Sequence, residues 1–151
     1  MRFLSLFALT LLTLAAPVWA AVDDRSEVEQ VVRSNMTAFA AGDFATLDKL
    51  WAHDEDLQVF ESGHANLGWK DYSENHLKPE LVQLKGIQIN VSDVKVRLAG
   101  KTAWATYKYS YSLTVKDKTI SGSALGTAIL EKRRGNWVIV HAHSSSVRNS
   151  L

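Results

Sequence analysis

The 151-residue sequence contains no cysteine, which excludes disulfides, thiolate metal sites and cysteine nucleophiles. Two prolines and eight glycines are too few for a collagen-like or low-complexity chain. An excess of one charge is also missing: 17 Lys and Arg stand against 16 Asp and Glu, a formal net charge of +1. No run of like charge is longer than Lys132-Arg133-Arg134, so the electrostatic footprint of a nucleic-acid binder is absent. What is present is 46% hydrophobic and 22% charged residues, the balance of a folded chain rather than a disordered one. The length suffices for one domain and not for two of ordinary size.

The one long hydrophobic run stands at the start. Arg2 is followed by an almost wholly apolar stretch over 3–16, then by Pro17-Val18-Trp19-Ala20. This is the pattern of a secretory signal peptide, with Val18 and Ala20 where a signal peptidase reads. The stretch is shorter than the roughly 20 residues of a membrane span, and no basic stop-transfer patch follows. The expectation is a signal peptide over 1–20, cleaved after Ala20, and a single domain over 21–151. Such a chain is periplasmic or secreted, with no membrane attachment after cleavage.

Ser26-Glu27-Val28-Glu29 reads as a capping box, and Val28, Val31, Val32, Met36, Phe39 and Ala40 recur at helical spacing. Gly42 ends that helix and Asp43 can cap a second one carrying Phe44, Leu47, Leu50 and Trp51. A short strand over 57–61 and a loop over 62–68 follow. A third helix begins at Trp69, and Pro79 is expected to break it at Lys78. From Gly86 onward the pattern alternates. The parity flips between Val91 and Val94, which predicts a bulge near Ser92-Asp93. Ala103, Ala105, Tyr107, Tyr109 and Tyr111 share one face of the next strand and Trp104 the other. Helices segregated from four long antiparallel strands indicate an α+β fold, in which three N-terminal helices pack on a strongly bent antiparallel sheet. Such a cone has an apolar mouth suited to a small molecule.

Three segments carry a resemblance: the hairpin joint Ala41-Gly42-Asp43, Trp51-Ala52-His53-Asp54, and Gly135-Asn136-Trp137-Val138-Ile139-Val140-His141. They resemble the nuclear transport factor 2-like superfamily, and most closely its SnoaL-like bacterial members, which include ketosteroid isomerase relatives. The resemblance spans residues 27–146 and implies the cone-shaped fold. It leaves function open, because this fold hosts isomerases, cyclases, dehydratases, binders and dimerisation modules. The segments 68–81 and 139–145 resemble an exported SnoaL-like subgroup.

Carried over residue by residue, the isomerase pattern puts Glu61 at the position of the catalytic base. It puts Asn35 at the position of the oxyanion tyrosine. No Asp or Glu lies between Thr119 and Leu130 to act as a second oxyanion donor, so ketosteroid isomerisation is not expected.

His141 and His143 are two apart on a strand and are expected to share a face with Ile139 and Ser145. Completed by His76, Glu80, His64 or Glu61, they could hold a divalent metal such as zinc or copper; alternatively they are a hydrogen-bonded pocket pair, or one acts as a general acid-base. Trp69, Tyr72, Tyr107 and Tyr109 are candidates to line an aromatic pocket, with ordinary core packing as the competing account. No organic cofactor is expected. Trp104 suits a homodimer contact between sheets. Three functions stay open: a small-molecule or metal-ion binder, a lyase or isomerase using Glu61 or a pocket histidine as base, and a dimeric interaction module.

Overall fold

Val28, Val32 and Met36 form the buried stripe of α1 (Asp24–Ala41) in the computed structural model, which describes residues 23–148. The expected signal peptide and its cleavage site lie outside the described residues. Gly42 ends α1 in a left-handed conformation, φ 67°, which costs glycine nothing. The Asp43 carboxylate then accepts from the Thr46 amide at 3.0 Å and starts α2 (Phe44–Leu50). The capping box expected at Ser26 does not form, because α1 begins two residues earlier. Its first residue, Asp24, is held by Lys132 Nζ and by Trp137 Nε1, the latter donating at 3.1 Å. A long-range anchor thus replaces the local cap.

The loop expected over 62–68 contains a strand. β1 (Gln58–Glu61) and β2 (His64–Leu67) form a hairpin whose two-residue turn, Ser62-Gly63, has φ of 51° and 82°. Positive φ at both positions is the geometry that matches strand twist.

The third helical segment also departs from expectation. It runs without a gap through α3 (Trp69–Asp71), a π-helical stretch (Tyr72–Leu77) and α4 (Lys78–Gln83). Lys78 keeps helical angles, and its amide donates to Ser73 O, five residues back. Proline breaks an α-helix by withholding a hydrogen bond to the carbonyl four residues back. The π turn shifts the register by one residue just before Pro79, so the helix passes through.

Four long strands complete the chain: β3 (Lys85–Ala99), β4 (Thr102–Val115), β5 (Lys118–Arg133) and β6 (Asn136–Arg148). The sheet order is β2-β1-β6-β5-β4-β3, antiparallel throughout except for the parallel β1–β6 pair. The bulge expected near Ser92-Asp93 is present: the β3–β4 register shifts between Ser92 and Lys95, and Asp93 has φ 51°. The helices cover one face of this bent sheet, where Val28, Leu47, Trp51, Leu130 and Ile139 are buried together. No helix among the described residues is long and apolar enough to cross a membrane.

Tyr107 shows how tightly the inner face is filled. It pairs with Gly126 of β5, and a Cβ added at Gly126 would lie 2.3 Å from Tyr107 Cζ. Gly126→Ala must therefore push the tyrosine ring aside. We expect it to cost about 1–3 kcal/mol of stability, read from the shift of the urea unfolding midpoint. A change below 0.5 kcal/mol would show that the ring does not need the glycine.

Candidate functional site

The inner face of the sheet and the helices enclose a cavity of about 80 Å³. Its walls are largely apolar, among them Met36, Phe39, Leu47, Trp51, Val59, Leu77 and Ile89. Polar groups are few: Glu61 from β1, Asn35 from α1, Tyr72 from the π-helical stretch, Tyr107 and Tyr109 from β4, and Ser144 and the solvent-exposed His143 from β6. Asn35 Oδ1 accepts from Trp51 Nε1 at 2.7 Å. Asn35 Nδ2 donates to Met36 Sδ at 3.9 Å, a weak acceptor.

Glu61 is the carboxylate of this cavity. Strand β1 places it there by alternation: Val59 is buried, Phe60 lies on the opposite face, 38% exposed and paired with His143, and Glu61 points back in. Tyr72 donates to Glu61 Oε2 at 3.4 Å. Burial, followed by the charges of Glu61 and Glu80, pushes the Tyr72 hydroxyl well above its ordinary range. That hydroxyl stays protonated at any ordinary pH.

A second carboxylate and an imidazole sit at the mouth. His76 Nε2 lies 3.8 Å from Glu61 Oε2 and 3.9 Å from Glu80 Oε2. Both distances exceed hydrogen-bond length. Glu80 Oε2 is covered from solvent and has no hydrogen-bond partner. Burial, and then the charge of Glu61, raises the Glu80 carboxyl from 4.5 to about 7. The other side of His76 is fixed. Its Nδ1 is 2.7 Å from Asn66 Oδ1, while Asn66 Nδ2 donates to Asp71 Oδ2 at 3.1 Å. The Leu67 amide and Asn75 Nδ2 also donate to Asp71, at 3.0 and 2.9 Å. With Asn66 presenting its oxygen, His76 donates from Nδ1, and Nε2 is the nitrogen that faces the carboxylates. The π-helical stretch contributes directly, since Tyr72 and His76 both project from it toward Glu61. Such stretches are frequent at functional sites.

The SnoaL-like domain family matches residues 28–149. The chain belongs to the SnoaL-like family. A candidate ketosteroid isomerase from Shewanella frigidimarina superimposes with a TM-score of 0.69 at 26% identity, over 77% of this chain and 92% of that one. A candidate calcium/calmodulin-dependent protein kinase II association domain from Xanthomonas campestris gives 0.69 at 25%, over 92% and 98%. A candidate dehydratase of the nuclear transport factor 2-like family from Streptomyces avermitilis gives 0.74 at 19%, over 82% and 96%, a likeness of fold alone. No curated protein matches the chain.

Within this SnoaL-like cone the residues singled out from sequence separate into two groups. Glu61, Tyr72, His76 and Glu80 come together, with Tyr107 and Tyr109 on the opposing wall. His64, at the start of β2, lies beside them with its ring 6.0 Å from that of His76. Trp69 is not a cavity residue. It stacks on Trp51 at 5.9 Å, donates to Asp48 at 2.8 Å, and so buttresses the wall from behind.

His141 and His143 do share a face, but not with Ile139. In β6, Leu130 pairs with Ile139 and Ile129 with His141, so Val140 is an extra residue in a bulge. The bulge reverses the alternation, bringing Ala142 and Ser144 inward. Both histidine rings pack edge-on to Phe60 on the outer face, at 5.3 and 6.4 Å. They therefore cannot combine with His76, His64 or Glu80 around one ion. Among the described residues no group of three or more His, Cys, Asp or Glu side chains is arranged to hold a metal. Asn66 and Asp71, which orient His76, carried no signal in the sequence: β2, which holds Asn66, was not apparent there, and Asp71 was one acid among others on a helix.

Glu80 ties this site to stability. An unfolded glutamate ionises near 4.5 and the folded Glu80 near 7. The folded state therefore holds this proton more tightly, and stability falls as pH rises from 4.5 through 7. Glu80→Gln cannot ionise and escapes that loss. It should unfold at the same temperature as the parent near pH 4 and at a higher one at pH 8. Equal melting temperatures at pH 8 would show that Glu80 ionises there without cost.

Proposed function

We propose that this SnoaL-like protein is exported and binds a small organic molecule in the cavity, with Glu61 as its polar anchor. One observation carries the reading: a carboxylate is directed into a largely apolar and aromatic cavity, where the Tyr72 hydroxyl at 3.4 Å is its hydrogen-bond partner and His76 stands at 3.8 Å. An apolar pocket with a few convergent polar groups is the usual form of a small-molecule site. The candidate isomerase among the structural neighbours, at 26% identity, supports the same use of the cone.

A second reading, lyase or isomerase chemistry with Glu61 as general base, is favoured by the chain Asp71–Asn66–His76 behind it. A base needs an orienting partner and a route for its proton, and His76 faces both Glu61 and Glu80. Tyr72 cannot serve as the missing oxyanion donor while it donates to Glu61. A mixed library of fragments, screened by thermal shift, tests both readings. Hits are expected to stabilise the parent and to lose at least about tenfold in affinity in Glu61→Gln. Hits that bind Glu61→Gln equally well would sink the anchor role. Exchange of a hit's carbon-bound hydrogen in deuterated water, absent in Glu61→Gln, would establish the base; no exchange would leave a binder.

The outer face of the sheet supports a homodimer. Trp104 and Leu125 are 44% and 59% exposed there, beside Phe60 and the two histidines, and one structural neighbour at 25% identity is a candidate association domain. Exposed apolar groups gathered on one face mark interaction surfaces. Sedimentation velocity should give a dimer for the parent and a monomer for Trp104→Lys. A monomeric parent at micromolar concentration would remove the homodimer.

A further inference from the structure

We propose that the ligand of this cavity is an organic cation, a small protonated amine with an apolar body, held between Glu61 and Glu80. This rests on the reading of the cavity as a small-molecule site and names its substrate class.

The charge of the walls points to the sign of the ligand. Three cavities meet at Glu61: the inner one, a neighbouring groove of about 180 Å³ and an outer one of about 540 Å³. Glu80 borders the latter two, and no Lys or Arg contributes to any of the three. The protein thus gathers two carboxylates at one junction and supplies no fixed positive charge beside them. The imidazole of His76 stands at 3.8 and 3.9 Å, beyond hydrogen-bonding reach of either.

The consequence is visible in Glu80. Its Oε2 is covered and unpartnered, and covering a charge without pairing it is costly unless it takes up a proton. The upward shift of its carboxyl to about 7 follows from burial and the neighbouring Glu61. An ammonium group supplies both missing parts. It brings one positive charge and up to three N–H donors for two carboxylates at one junction. A neutral alcohol supplies one donor and no charge. A carboxylate ligand would add a third negative charge.

The remaining walls suit the same ligand. Tyr107, Tyr109 and Tyr111 form a ladder along β4, with ring centroids 6.1 and 6.4 Å apart. Tyr109 borders both the inner cavity and the groove, and Tyr111 borders the groove. Aromatic faces attract cations, more strongly once water is removed. The inner cavity beyond Glu61 is lined by Leu47, Trp51 and Leu77 and is only about 80 Å³. The ammonium group therefore sits at the junction, with a short or flat apolar body beside it.

Three probes of the same shape and different charge provide the test: benzylamine, benzyl alcohol and benzoate, each titrated calorimetrically into the mature protein at pH 8. Benzylamine is expected to bind at least about tenfold more tightly than benzyl alcohol, and benzoate not at all. Glu61→Gln and Glu80→Gln should each weaken benzylamine about tenfold and weaken benzyl alcohol by a clearly smaller factor, with circular dichroism confirming the fold. Benzyl alcohol or benzoate binding as tightly as benzylamine would overturn the cation assignment and leave the small-molecule reading standing. Benzylamine binding that survives in both variants would place the amine elsewhere and also overturn it. Stoichiometric zinc binding lost in Glu80→Gln, with no benzylamine binding, would transfer the junction to a metal ion. No binding by any probe would overturn the cation together with the small-molecule reading.

Discussion

Between Ile139 and His141 a single residue of β6, Val140, has no partner on β5. Strand side chains alternate with a period of two, so one unpaired residue exchanges the faces of everything beyond it. Before the bulge, Trp137 and Ile139 are buried in the core. After it, Ala142 and Ser144 turn inward and the two histidines turn out. The parallel pairing of β1 with this part of β6 sets Glu61 opposite Ser144 and Phe60 opposite His143. The bulge therefore decides that the cavity receives a carboxylate and small side chains, while both imidazole rings pack edge-on to Phe60. Without it the same sequence would have directed two histidines into the cone.

The site follows from a conflict between burial and charge. The fold places Glu61 in an apolar enclosure and brings Glu80 up to its mouth. Water cannot fully solvate either group there, and no lysine or arginine borders them, only the His76 imidazole at 3.8 and 3.9 Å. The protein answers partly with the Tyr72 hydroxyl on Glu61 and partly with the retained proton on Glu80. Neither response is the pairing that a carboxylate kept only for structure would receive. Asp24 and Asp71 show that pairing in this same chain. Lys132 and Trp137 hold the first, and three N–H donors hold the second. Both of these carboxyls are lowered, and each hydrogen-bonded partner set fixes a piece of the framework. Glu61 and Glu80 lie where the framework stops and a ligand begins.

Much of the fold was legible because it rests on local patterns. The helix hairpin was marked by the stripe from Val28 to Met36, by Gly42 and by Asp43. The inner face of β4 was marked by Ala103, Ala105 and Tyr107, and the bend in β3 by the parity change at Ser92-Asp93. Less of the site could be read. Glu61 and Tyr72 were visible as candidates, yet their contact spans a hairpin and a helix. The β1–β2 hairpin was missed because Ser62-Gly63 lacks the usual Asn-Gly signal; with it went Asn66, and hence the orientation of His76.

The sequence by itself determined the α+β class, the helix hairpin ahead of four long strands, and the sides of β3 and β4 that face the helices. Burial enforces these periodicities residue by residue, and they leave a local trace. Tertiary structure alone decided three things: the continuity of the helix through Pro79, the outward face of His141 and His143, and the meeting of Glu61, His76 and Glu80. The first two turn on a one-residue shift in register, a π turn in one case and a bulge in the other. Only packing against distant segments selects such a shift. The third joins a strand end to a helix that begins eight residues later, and no local pattern encodes the distance between them.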